Sequence, residues 1–136
     1  MHRSEIDFID LLRKQGVGPT TQRLMVVRLL FQSWTHMSAE EVYRKLNADG
    51  RCISKATVYN TLGLLSAKRV IREVIVDPNK VFYDPNTEPH HHFYNETTGE
   101  LQDIEANQIR IGELPSLPKG TVLEGADVVV RLRSAK

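Results

Sequence analysis

Ile53-Ser54-Lys55-Ala56-Thr57-Val58-Tyr59-Asn60-Thr61-Leu62 is the stretch whose reading decides the fold. Ser54 is placed to cap a helix, and Ile53 and Val58 to staple its first turn. Val58, Leu62 and Leu65 recur at i, i+4 and i+7, so that row faces a core. The opposite surface of the first two turns carries Lys55, Thr57, Tyr59 and Asn60. A cation, a hydroxyl, a phenol and an amide on one short helix are the side chains that read base edges in a DNA groove. They equally suit the solvated face of an amphipathic helix, and the helix alone does not decide between the two.

Upstream, Ser38-Ala39-Glu40-Glu41 forms a capping box for a helix through Val42, Tyr43 and Leu46, which Gly50 ends. Gly18-Pro19-Thr20-Thr21 opens another helix, with Leu24, Val27, Leu30 and Phe31 at helical spacing and Arg23 and Arg28 off that surface. Ser4 is placed to cap a first helix carrying Ile6, Phe8, Ile9, Leu11 and Leu12, with Gly16 as its stop. After Lys68 and Arg69 the period changes. A β-rich run from Val70 to Val76 meets Val81 to Tyr83 across Asp77-Pro78-Asn79-Lys80, a two-stranded wing.

Helices followed by a hairpin are the layout of a winged helix-turn-helix, which sets one helix in the major groove. The charge agrees with that layout. Residues 1–84 carry 13 Lys/Arg against 9 Asp/Glu, whereas residues 85–136 carry 5 against 8, so the basic half coincides with this module. The expected fold class is α+β. An N-terminal winged helix-turn-helix domain spans 1–84, a small C-terminal α/β dimerisation domain spans 85–136, and the hinge lies at about 84–90.

The second half contains short β-type runs, Leu101 to Ile104, Gln108 to Ile111 and Asp127 to Arg133, broken by glycines and prolines. Three short strands bury little alone, so the Val128, Val130, Leu132 face is expected to pack against another copy. Within this half stand His90, His91 and His92, three of the five histidines. In an extended chain His90 and His92 share a face and His91 takes the other. Asp103 lies on the following strand, where a hairpin brings an oxygen donor to the same point. Surface residues of a loop are the bland reading. Imidazole and carboxylate donors without thiolate suit iron, manganese or zinc, and histidine is also a common axial ligand of haem.

Several classes are excluded or disfavoured. A lone cysteine, Cys52, allows no internal disulfide, no CxxC pair and no structural four-cysteine zinc site within one chain. No apolar run is long enough to cross a bilayer and no signal segment opens the chain, so a cytoplasmic location is expected and a membrane partner is not. A metal-dependent hydrolase would also use histidines and carboxylates. HExxH, a glycine-rich phosphate loop and G-x-S-x-G are all lacking, so no enzyme is expected. A dimeric metal-storage protein would bind no DNA.

The wording of two segments decides what periodicity leaves open. His36-Met37-Ser38-Ala39-Glu40-Glu41-Val42-Tyr43, with the stretch from Ile53 to Leu62, closely resembles the ferric uptake regulator family, where the second segment is the recognition helix. The resemblance runs from about Gly16 to the C-terminus. It implies a homodimer on a palindromic operator in double-stranded DNA, and a regulator of iron or haem homeostasis. By position it implies DNA contacts from Ser54, Lys55, Thr57, Tyr59 and Asn60, with Thr20 and Arg23 at the backbone. It also implies one metal site at the hinge, made by His36, His90, His92 and Asp103.

Three departures from the family pattern matter. CxxC is missing, Tyr83 occupies a usual carboxylate position with Asp84 beside it, and His91 stands where an aspartate commonly serves a second site. The His90-His91-His92-Phe93 stretch and Asn95-Glu96-Thr97-Thr98-Gly99-Glu100-Leu101 most resemble the iron-response regulator branch. That branch implies haem response through His90, His91 and His92, with haem weakening DNA binding. A repressor dependent on manganese, iron or zinc, or a peroxide-sensing regulator, is the alternative within the family.

Overall fold

The computed structural model describes residues 5–136 and, within them, every side chain but that of Ile6. The expected Ser4 cap and the Ile6 core contact lie outside the described residues. The fold is α+β, and the chain falls into two compact units, one ending at Thr87 and the other beginning at Glu88.

The first unit contains α1 (Glu5–Lys14), α2 (Thr21–Ser33), β1 (Met37–Ser38), α3 (Ala39–Asn47), α4 (Lys55–Ala67), β2 (Arg72–Asp77) and β3 (Lys80–Asp84). Caps set its helix starts. The Thr20 hydroxyl accepts the Arg23 N–H, and the Ser54 hydroxyl accepts the Thr57 N–H at 3.1 Å. Ser38 and Glu41 close both halves of a capping box. Such caps satisfy amide donors that a helix start leaves over, typically for about 1 kcal/mol each.

Two helix ends share one device. After α1, Gly16 at φ 76° lets Val17 N–H return to Leu12 O at 2.8 Å and Gly16 N–H to Arg13 O at 3.0 Å. After α4, Arg69 at φ 59° does the same, with Val70 N–H bonded to Leu65 O and Arg69 N–H to Ser66 O. In this motif the residue after the left-handed one packs back onto the helix. Val17 and Val70 are accordingly buried. The wing strand therefore begins at Arg72 and not at Val70, because the helix end draws Val70 and Ile71 into the core.

That core gathers Phe8, Leu12, Val26, Val27, Leu30, Val42, Leu46, Val58, Leu62 and Leu65. The wing is three-stranded, in the order β1-β3-β2. β2 and β3 form a hairpin closed at Asp77↔Lys80, and β1 joins β3 through Met37↔Tyr83 and Ser38↔Phe82.

The second unit is built from β4 (His90–Asn95), β5 (Leu101–Glu105), a short 3-10 turn (Ala106–Gln108) and β6 (Val129–Leu132). β4 lies centrally, antiparallel to β5 and parallel to β6. Asn95 Oδ1 accepts the N–H groups of Thr97 and Thr98, and Gly99 at φ 77° completes the hairpin turn. The strand expected from Gln108 to Ile111 does not form. Gln108 instead turns back so that its Oε1 accepts the Glu105 N–H, and Pro115 and Pro118 deny the following segment two ladder donors. The strand expected over 127–133 is shorter, Val129–Leu132.

Candidate metal centre and nucleic-acid interface

Alternation along β4 sends His90 and His92 to one face and His91 to the other. The antiparallel register then sets Asp103 directly opposite His92. Asp103 Oδ1 lies 3.3 Å from His92 Nε2 and 3.6 Å from His90 Nε2, and the two imidazole centroids are 4.5 Å apart. His90 Nδ1 sits 2.7 Å from Glu88 O. A proton on Nδ1 donates to that carbonyl and leaves the Nε2 lone pair directed toward Asp103.

One ligand atom from each of His90, His92 and Asp103 lies within 4.8 Å of the others. Bonds of about 2.0–2.2 Å to a small divalent ion leave donor atoms about 3–4 Å apart, so this cluster fits such an ion. Both imidazoles are buried, whereas Asp103 is half exposed, which leaves a path for the ion.

Haem fits less well. A macrocycle needs an open face over an axial nitrogen, but His90, His91 and His92 are 5%, 5% and 0% exposed. His91 Nδ1 is already occupied as the acceptor of the Val128 N–H at 2.9 Å.

Two further donor residues belong to the first unit. Continuing the β1–β3 register by one residue sets His36 opposite Asp84. The His36 ring stands edge-on to Phe82 at 5.8 Å, and Asp84 is 2% exposed with its Oδ1 accepting the Asn86 N–H. Tyr83 does not supply the usual carboxylate position. Its side chain joins the helical core, and the next residue along a strand faces the opposite way. Asp84, which the sequence places beside Tyr83, is the carboxylate on the other face of β3.

Burial raises the Tyr83 phenol above its ordinary value of 10.0, and the neighbouring Glu73 carboxylate and Tyr59 phenol add to the shift. The folded chain holds this proton more tightly than the unfolded chain. The resulting stabilisation is therefore complete below pH 10.0 and is lost as pH rises through the shifted value. Tyr83→Phe is expected to remove a component of the ultraviolet phenolate titration that lies above the ordinary value. Loss of a component at the ordinary value would contradict this placement.

On α4 the buried row is Val58, Thr61, Leu62 and Leu65, and the exposed face carries Lys55, Ala56, Tyr59 and Asn60. Tyr59 is 48% exposed. Lys55 Nζ lies 3.5 Å from Glu40 Oε2 and 5.3 Å from the centre of the Tyr43 ring, so α3 holds its ammonium at the helix start. The Ser54 hydroxyl donates to the Thr57 hydroxyl at 2.9 Å within the cap, which leaves the Thr57 proton available to donate. Thr20 caps α2, and Arg23 donates to Gly18 O at 2.9 Å beside it. Tyr59 and Asn60 are the exposed polar side chains that follow the cap on this face of α4.

The sequence pattern of the ferric uptake regulator family matches residues 14–119. The peroxide-responsive repressor PerR of Staphylococcus aureus is 35% identical over 98 residues, 72% of this chain. The match spans 66% of that relative, just under two thirds of its length. Among solved structures, the ferric uptake regulator of Pseudomonas aeruginosa with manganese superposes with a TM-score of 0.71 at 26% identity, covering 93% of this chain and 97% of that one. The Vibrio cholerae ferric uptake regulator superposes at 0.74 with 22% identity, over 94% and 100% of the two chains, a likeness of fold.

Proposed function

The chain belongs to the ferric uptake regulator family, and on that premise we propose that it is a transcription regulator whose DNA affinity responds to a divalent metal ion. The observation that carries the proposal is the convergence of His90, His92 and Asp103 within one small sheet. His36 and Asp84 are the donors we assign to the first unit. An ion held by His90, His92 and Asp103 favours the conformation that presents those donors, and through that preference it biases operator affinity.

Manganese, iron and zinc all accept this donor set. When bound, the ion supplies Lewis acidity and a fixed coordination geometry. The imidazoles supply neutral nitrogen donors, and the Glu88 carbonyl orients His90. We read the chain as a regulator and not an enzyme. A second reading, response to peroxide, is favoured by the identity with PerR. The finer haem reading has the weaker footing, because the three rings are buried and His91 Nδ1 already accepts a hydrogen bond.

A homodimer on a palindromic site belongs to the same proposal. The second unit buries Tyr94, Leu101 and Ile104 with its histidines, while Ile111, Leu114, Leu117, Val122 and Leu123 stay exposed. So small a core needs a partner surface, and a second copy supplies it.

The test is an anisotropy titration on an operator selected from random DNA, run with manganese, ferrous iron, zinc and haem in parallel, with and without peroxide. Affinity should rise with a divalent ion. Equal affinity under all conditions would refute metal response, and release by haem alone would restore the haem reading. Tyr59→Ala is expected to cost about tenfold in discrimination between operator and scrambled DNA. Lys55→Ala should weaken both DNAs alike and lower the salt slope by about 1. Unchanged discrimination in the tyrosine variant would remove Tyr59 from the base contacts.

A further inference from the structure

We infer that His91 is a positioning residue, the clasp that fastens β6 to the ligand strand β4, and that it is not itself a ligand. The clasp stands on strand geometry alone. Its consequence for the metal site rests on the reading of His90, His92 and Asp103 given above.

The β4–β6 ladder runs in parallel from His92↔Val129 to Asn95↔Leu132. At its start the His92 N–H bonds Val128 O at 3.1 Å. Val128 lies one residue before β6, where its own N–H falls beyond the paired strand residues. The His91 imidazole takes that donor, with Nδ1 accepting it at 2.9 Å across 37 residues of sequence. Consecutive residues of β4 therefore grip Val128 on both its N–H and its C=O. His92, which grips through its backbone, directs its side chain to the metal cluster.

Chemistry then excludes His91 from the ligand set. A neutral imidazole accepting at Nδ1 carries its proton on Nε2, so no lone pair remains for an ion. His91 is also 5% exposed and lies on the face of β4 opposite His90 and His92. The segment before Val128 is almost wholly exposed and, from residue 109 on, contains no strand. His91 marks where this segment rejoins the sheet. A slip of one residue there would exchange the two faces of β6, so a single imidazole helps hold its register against the strand that carries two ligands.

The experiment uses the full chain with zinc as the probe. In the metal-free wild type, nitrogen NMR should detect scalar coupling between the Val128 amide and His91 Nδ1, with the ring protonated at Nε2. His91→Leu keeps bulk without an acceptor, and His91→Asn keeps an acceptor near the Nδ1 position. In the leucine variant the Val128 amide should exchange about tenfold faster, with zinc still binding one per chain and a few-fold more weakly. The asparagine variant should restore both exchange and affinity. A missing coupling with a proton on Nδ1, or unchanged Val128 exchange in His91→Leu, overturns the clasp. Loss of the bound zinc in both variants would make His91 a ligand. A wild type that takes up no zinc would sink the metal reading, and the clasp would still be judged by the coupling and the exchange. The coupling needs no variant, so it decides the clasp even if His91→Leu fails to fold.

Discussion

Replacing His92 by alanine is expected to weaken manganese or zinc binding by about 100-fold or more and to abolish metal-dependent operator binding. Disturbing residues that merely support metal ligands typically costs about 10–100-fold, so loss of a ligand should cost at least as much. His92 is the sharper choice than Asp103 because it is fully buried, and water cannot easily replace the missing nitrogen. Its burial also complicates the readout, since the shortened side chain leaves a void. Asp103→Asn is the companion variant. It keeps the volume, removes the charge opposite two imidazoles at 3.3 and 3.6 Å, and should lose affinity without a packing defect. Competition with a coloured chelator measures both, and unfolding of the metal-free proteins separates packing from ligation. A dissociation constant within threefold of wild type in either variant would remove that residue from the site.

What the sequence made legible was what is local in the chain. Ser54 and the Ser38–Glu41 box announce helix starts through side chains that bond amides three residues away, and both form. The HxH pattern is equally local, because a strand alternates whatever surrounds it. Features that depend on distant partners stayed hidden. β1 is two residues long and exists because β3 pairs with it, so Met37–Ser38 carries no period of its own. Val70 has strand propensity, yet the Arg69 turn commits it to the end of α4. Tyr83 and Asp84 could be told apart only by knowing which face of β3 meets the helices. Ser54 and Thr57 illustrate the reverse limit, for a hydroxyl suited to DNA is equally suited to a cap, and these two bond each other at 2.9 Å in the cap of α4. The bond from Val128 to His91 spans 37 residues, beyond any local pattern.

Leu62→Ala is expected to destabilise the first unit by about 2–5 kcal/mol, the usual cost of deleting a fully buried leucine side chain and leaving a cavity. Leu62 is completely buried at the middle of α4, between Val58 and Leu65 on the row that packs into the helical core. α4 packs against both α2 and α3, so a void there loosens the helix from two neighbours at once. Single domains are stable by only about 5–15 kcal/mol, so a large share of the total would be lost. Tyr59 is the internal control. It lies three residues away on the same helix with its side chain half exposed, and Tyr59→Ala should change stability far less, by about 0.5 kcal/mol. Denaturant unfolding followed by circular dichroism measures both. The pair separates two ways of losing DNA binding that a gel shift alone would confuse. Leu62→Ala should lose binding on warming, in step with unfolding and on all DNA alike, whereas Tyr59→Ala should lose discrimination at every temperature with the fold intact. A loss below about 1 kcal/mol for Leu62→Ala would mean that this row is not what fixes the helix, and the assignment of Tyr59 to the opposite, reading face would fall with it.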